Sequence, residues 1–276
     1  MTRRNLSLAA NLVALILALW AFWWEPSSLV VRSYRLEIPN WPNSVAGLRV
    51  AVLADLHIGS PYRGLDSLAQ TVARTNAEKP DLIVMPGDFI GATFLRHHVS
   101  PEEFAPVLSG LRARLGVWAV LGNHDWWDLP DDVRRELESH GIGVLENRAE
   151  PLGEFWLAGI GDFWESQHDV PTALENVSEG APLLAFTHNP DVFVDTPRKI
   201  NLLVAGHTHG GQVWFPLLGR MVVPSRYGER FAIGHIVEDG RHLFVSPGIG
   251  TSIIPVRFLT SPEVSILEIH SVRGSS

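Results

Sequence analysis

Two runs decide how this chain folds: Val50-Ala51-Val52-Leu53-Ala54-Asp55-Leu56-His57 and Leu202-Leu203-Val204-Ala205-Gly206-His207-Thr208-His209-Gly210-Gly211. Each begins as an unbroken aliphatic stretch and stops abruptly at groups that bind protons or metals. Short apolar runs without polar alternation, bounded by turn residues, read as strands buried on both faces. The pattern recurs at 82–85 before Pro86-Gly87-Asp88, at 117–121 before Gly122-Asn123-His124-Asp125, and at 183–186 before Thr187-His188-Asn189. A further apolar run covers 243–245. Helical patterns lie between several of these runs, at 65–76, 101–112 and 131–140, with Ser100 before Pro101 and Pro130 before Asp131 as starting signals. Strand alternating with helix predicts an α/β layered sandwich.

In an open α/β sheet, ligands bind in the crevice at the carboxyl ends of the strands. Five successive strands here deliver carboxylate, imidazole or amide groups to that edge. Taken singly, each piece has an ordinary explanation. Asp-x-His and Gly-Asp serve as turns and helix caps, Gly-Asn is a common turn, and a lone histidine is usually a satisfied one. His207 and His209, two apart in a glycine-flanked loop, can both reach one cluster. All five together, always following a strand, predict a metal site. The chain has twelve histidines and no cysteine, which excludes disulfide scaffolds, zinc fingers, iron–sulfur clusters and thiol catalysis. A donor set of oxygen and imidazole nitrogen suits Mn, Fe or Zn. It is too large for one tetrahedral zinc, and two divalent ions sharing a carboxylate fit it better.

Apolar residues make up 46% of the 276 and charged residues 19%, which excludes disorder. The net charge of −8, with Lys79 and Lys199 the only lysines, argues against nucleic acid as a partner. After Arg3 and Arg4, residues 6–24 carry only Ser7 and Asn11 as polar members. Such a helix rises roughly 28 Å, close to the hydrocarbon thickness of a bilayer. Trp20, Trp23 and Trp24 sit at its far end, where amphipathic rings favour the interface. The run is longer than an ordinary signal core and lacks a small-x-small cleavage site. Residues 1–25 therefore read as an uncleaved transmembrane anchor, 26–47 (with Pro39, Trp41 and Pro42) as a linker and lead-in, and 48–276 as the catalytic domain. Arg3 and Arg4 favour a single-pass topology in the inner membrane with the body on the extracytoplasmic face, although Arg32, Arg35 and Arg49 reduce the asymmetry.

The series Asp-x-His, Gly-Asp, Gly-Asn-His-Asp, His, Gly-His-x-His resembles the calcineurin-like metallophosphoesterases, from about residue 48 to the C-terminus. The segments 206–212 and 246–252, with Pro255 and Arg257, resemble the membrane-anchored bacterial branch. The resemblance implies a four-layer α/β/β/α sandwich behind one transmembrane helix, and a role for each matching residue. Asp55, His57 and His209 would hold one metal, Asn123, His188 and His207 the other, and Asp88 would bridge them. His124 would protonate the leaving oxygen or stabilise charge in the transition state, with Asp125 orienting it or capping a helix. A metal-bridging hydroxide would attack the phosphorus of a phosphodiester or phosphomonoester in line.

Two departures stand out. Gly91 occupies the position, three residues after Asp88, where many members carry a second, non-ligating Asp; its absence bears on metal preference. The best-known UDP-2,3-diacylglucosamine pyrophosphatases carry Arg at the position of His124, which counts against that subgroup; a separate membrane-linked subgroup with His is compatible, so hydrolysis of this lipid-linked pyrophosphate stays an alternative. A non-catalytic metal-binding scaffold is the other alternative, and such proteins usually lose ligands, whereas all seven are present here. Trp126, Trp127, Phe163 and Trp164 are candidates for an apolar mouth, and Arg63 and Arg96 for phosphate contacts or plain surface positions. His97 and His98 are expected to be exposed, and His140, His168, His235, His242 and His270 carry no signal.

Overall fold

The computed structural model describes residues 3–95, 97, 99–197 and 199–272. A continuous helix, Arg3–Ser27, opens the chain: α1 (Arg3–Leu19), a π-helical turn at Trp20–Trp24, and α2 (Glu25–Ser27). It is long and apolar enough to cross a membrane, and its apolar side chains are exposed. Next come β1 (Val30–Ile38), β2 (Leu48–Val52), α3 (Leu65–Ala77), β3 (Leu82–Met85), β4 (Ala92–Thr93), α4 (Pro101–Leu108), β5 (Val117–Ala119), α5 (Asn123–Asp128), α6 (Pro130–Ser139) and β6 (Gly143–Val144). The second half contributes β7 (Arg148–Pro151), β8 (Trp156–Ile160), α7 (Val170–Ala173), β9 (Leu183–Thr187), β10 (Leu202–Ala205), β11 (Trp214–Phe215), β12 (Gly219–Arg220), β13 (Gly234–Glu238), β14 (Arg241–Val245), β15 (Ser252–Ile253) and β16 (Glu263–Ser271).

Among the described residues these strands build two six-stranded sheets, ordered β1-β16-β2-β3-β5-β6 and β13-β14-β10-β9-β8-β7. The alternation of side chains along each central strand explains why both faces are apolar. Val50, Val52, Leu82 and Val84 point between the sheets toward Leu184, Phe186, Leu202 and Val204. The intervening Ala51, Leu53, Ile83 and Met85 pack outward against Leu68, Phe104, Leu108 and Leu137 of the helices. On the second sheet, Ala158, Ile160, Ala185 and Leu203 pack outward against Val170, Ala173 and Val192. Four layers, α/β/β/α, follow.

The sequence places the central strands within a residue or two, with β3 and β10 matching at both ends. Helix α4 stops at Leu108, short of 112, because Ser109 and Gly110 close it with a turn. Residues 26–47 require a correction. They hold the nine-residue strand β1, parallel to β16 from Val30↔Glu263 to Ile38↔Ser271, so the sheet begins well before 48. Tyr34, Leu36 and Ile38 alternate with charged residues and drop into the inter-sheet core. Replacement of Leu36 by Ala should lower stability by about 2–4 kcal/mol in thermal or denaturant unfolding. Arg35→Ala, on the exposed face, should change it by less than about 0.5 kcal/mol. Equal, small effects would mean that β1 is a dispensable lead-in.

Candidate metal centre

All five strand ends open on one crevice, and seven side chains from both sheets meet there, each essentially withdrawn from solvent. Asp55, His57 and Asp88 follow β2 and β3, Asn123 starts α5, and His188, His207 and His209 follow β9 and β10. Backbone bonds zip the first two loops together: Asp55 N–H donates to Gly87 O, and His57 N–H to Asp88 O. Two further contacts lace the sheets to each other, since His207 N–H donates to Asp55 Oδ1 at 2.9 Å and His188 Nδ1 lies 2.7 Å from Pro86 O.

Asp55, His57, Asp88 and His209 present ligand atoms that all lie within 4.8 Å of one another. His57 Nδ1 is 2.9 Å from Ile90 O, which makes that nitrogen the N–H donor and turns the lone pair of Nε2 into the crevice. That Nε2 is 3.1 Å from His209 Nε2 and 3.5 Å from Asp88 Oδ2. On the other side of Asp88, His188 is fixed in the same way by Pro86 O, and its Nε2 lies 3.0 Å from Asn123 Oδ1, 3.0 Å from His207 Nδ1 and 3.4 Å from Asp88 Oδ2. At His188 an acceptor therefore faces the Asn123 carbonyl oxygen, and Asp88 Oδ2 faces both histidine sets. Among the described residues, Asp55 Oδ2 and His207 Nε2 find no hydrogen-bond partner in their buried positions.

Burial sets the protonation of this cluster. It pushes the Asp55 carboxyl up to about 7, and, with Asp125 nearby, raises Asp88 well above the ordinary carboxylate range. Burial also drives His57, His207 and His209 well below the ordinary imidazole value. Each group thus resists its own charge, and divalent cations would supply the compensation that the protein withholds. The donor chemistry and the convergence fit metal ions.

His124 lies on the open side. Its N–H donates to Asp88 Oδ1 at 2.9 Å, and its ring stands 5.2 Å from that of His57 and 4.6 Å from Trp127. Its Nε2 is 3.4 Å from Ser252 Oγ, and His124, Trp127, Trp164, Val222 and Ile253 line the cavity. For Asp125 the sequence allows a role orienting His124 or capping a helix. Its oxygens accept from the N–H groups of Gly122, Asp88, Phe89 and Ile90, at 2.9–3.1 Å. These bonds cap the start of α5 and cradle the loop that carries Asp88.

Other expectations sort as follows. Trp127 and Trp164 wall the cavity, whereas Trp126 packs against the core and Phe163 lies under the Arg226 guanidinium. Arg63 is neither solvated nor free for phosphate: it is buried and donates to Ile249 O, Pro26 O and Ser28 O. His97 is exposed, while Arg96 and His98 lie outside the described residues. His235 and His242 form a stacked pair on β13 and β14, outside the cluster.

Sequence reasoning missed Asp162, and it named Arg257 without giving it a role. Asp162 is buried, with its carboxyl raised mainly by that burial, and it follows β8 as Gly161-Asp162, the same strand-end pattern that marks Asp88. Arg257, entirely buried, donates to the carbonyls of Gly248, Gly250, Pro247 and Thr260 and reaches within 3.5 Å of His209 Nδ1. It holds the 246–252 loop against the metal ligands. The loop needs its glycines: a Cβ on Gly248 would sit 2.7 Å from Asp55 Oδ2, and one on Gly250 2.6 Å from His57 Cβ.

With the geometry in view, the chain belongs to the calcineurin-like phosphoesterase family, whose model matches residues 48–211. It is a metal-dependent phosphoric ester hydrolase. It is 32% identical to the phosphodiesterase YaeI of Escherichia coli over 89% of this chain and 90% of that protein. It is 28% identical to the metallophosphoesterase YkuE of Bacillus subtilis over 91% of this chain and 89% of the relative. A transmembrane protein with a metallophosphoesterase domain from Danio rerio is 30% identical over 83% of this chain, which spans 55% of the longer relative.

The cradle can be tested against the orienting role. Asp125→Ala strands four backbone donors and should lower metal content and activity together, as read by metal analysis of folded protein. Full metal content with only a slower reaction would instead tie Asp125 to His124.

Proposed function

We propose that this protein hydrolyses phosphodiesters at a dinuclear centre held beside a membrane. Asp55, His57 and His209 would hold one ion, Asn123, His188 and His207 the other, with Asp88 shared between them. The observation that carries this reading is Asp88 Oδ2, which lies 3.5 Å from His57 Nε2 and 3.4 Å from His188 Nε2. Mn, Fe or Zn suit these donors. When bound, such ions lower the pKa of water and draw charge off a phosphoryl group.

The chain's own residues do the rest. His124, tied through its N–H to the bridging carboxylate, projects its ring into the cavity beside Ser252 and donates a proton to the leaving oxygen. Gln212 fixes the Ser252 loop by accepting its N–H at 2.7 Å. Trp127 and Trp164 exclude water from the reacting ester.

The helix Arg3–Ser27 anchors the body, and Arg3 and Arg4 keep its start on the cytoplasmic side, so the catalytic domain is extracytoplasmic. Digestion of the body by protease added to intact spheroplasts is the expected result; protection would reverse the topology.

Full-length protein in detergent should bind about two first-row ions and hydrolyse a generic aryl phosphodiester. His124→Ala should keep its metal and lose rate by roughly 10²–10⁴-fold. Asp88→Asn should lose metal and activity together. Equal metal loss in both variants would undo this division of roles.

A further inference from the structure

Past the Gly-Gly that follows His209, the chain leaves the site as a short hairpin, β11 and β12, whose tip is unusually apolar. Leu217 is 104% and Leu218 74% exposed, and Met221 and Val222 beyond them are also open to solvent. A globular surface rarely sets several large aliphatic side chains together without a use. On the adjoining loop, Ile253 and Ile254 are likewise exposed. Val222 and Ile253 belong at once to this rim and to the wall of the catalytic cavity.

The rim is continuous with the end of the N-terminal helix. Trp214 N–H donates to Phe258 O at 2.9 Å, and the rings of Phe215 and Phe258 lie 5.2 Å apart. One residue earlier, Arg257 N–H donates to Ala21 O at 2.9 Å within the π-helical turn. Glu25 Oε2 accepts from Leu259 N–H at 2.7 Å, and Tyr62 Oη–H donates to Phe22 O at 2.8 Å. The helix end is thus bolted to the 257–259 segment against which the hairpin packs. Trp20, Trp23 and Trp24 mark that end as the level of the membrane interface.

We infer that the 214–222 hairpin and Ile253-Ile254 insert into the lipid interface beside the anchor, so that the mouth of the site opens onto the membrane surface. The occupant is lipid, because the apolar rim extends a surface whose neighbour is a helix with the length and composition of a bilayer span. This rests on the anchored reading above.

The absence of cysteine makes the test clean. Full-length protein carrying one environment-sensitive fluorophore, on Leu217→Cys, Ile254→Cys, Phe22→Cys or Glu179→Cys, is reconstituted in phosphatidylcholine–phosphatidylglycerol vesicles containing lipids with a shallow acyl-chain quencher. Glu179 is exposed and precedes β9, at the opposite end of the strands from the site. Blue-shifted, strongly quenched probes at positions 217, 254 and 22, with an aqueous, unquenched probe at 179, are expected. A quenched probe at 22 with aqueous probes at 217 and 254 overturns the rim while leaving the anchor standing, and aqueous probes at all four overturn both. An apolar probe at 217 that lipid does not quench means that a second copy of the chain covers the rim, which also overturns the inference.

Discussion

The crevice forces groups that repel one another into contact. His57 Nε2 and His209 Nε2 crowd to 3.1 Å, the His188 Nε2 lone pair meets the Asn123 carbonyl oxygen at 3.0 Å, and Asp88 Oδ2 looks at both sets. In a desolvated interior such a cluster is costly unless cations balance it. Much of the surrounding architecture holds these groups where left alone they would part. Five of the seven, Asp55, His57, Asp88, His207 and His209, have positive φ, a backbone state that non-glycine residues adopt at a cost. The restraint comes from fixed donors and acceptors: the carbonyls of Ile90 and Pro86 orient two imidazoles, and Asp125 gathers four N–H groups around the Asp88 loop.

The site sits on the seam between the two sheets, and the seam explains why it is buried. Sheet one supplies Asp55, His57 and Asp88, sheet two His188, His207 and His209, and the apolar layer between them shuts water out from behind. Two buried arginines carry this order outward. Arg257 links the ligand-covering loop to the end of the N-terminal helix, and Arg63 ties the same loop, at Ile249, to Pro26 and Ser28. Burial lowers both guanidinium groups, Arg257 to about 9 and Arg63 to about 10, and backbone carbonyls supply most of their partners.

What was legible in the sequence was whatever a short-range pattern encodes. Central strands such as β3 and β10 announce themselves by solid apolar runs, and the polar groups after them lie on the edge that the topology rule assigns. All seven residues that meet in the crevice were readable for that reason. Strand β1 was not: its alternation of Tyr34, Leu36 and Ile38 with charged residues is that of an edge strand, and the prolines that follow it resemble a linker. The role of Asp125 was hidden because its partners, the N–H groups of Asp88, Phe89 and Ile90, lie more than thirty residues away and carry no side-chain signature. Arg63 and Arg257 were opaque for a related reason, since most of their partners are backbone carbonyls.

Gly91 shows how packing can close a position to side chains. A Cβ there would lie 2.7 Å from Ile58 O and 3.0 Å from Ser60 N, because the loop after His57 runs directly across it. An aspartate at this position has no room unless the 58–60 backbone moves, and that backbone leads directly out of His57. The surroundings of the centre therefore cannot be retuned from position 91 by one substitution alone.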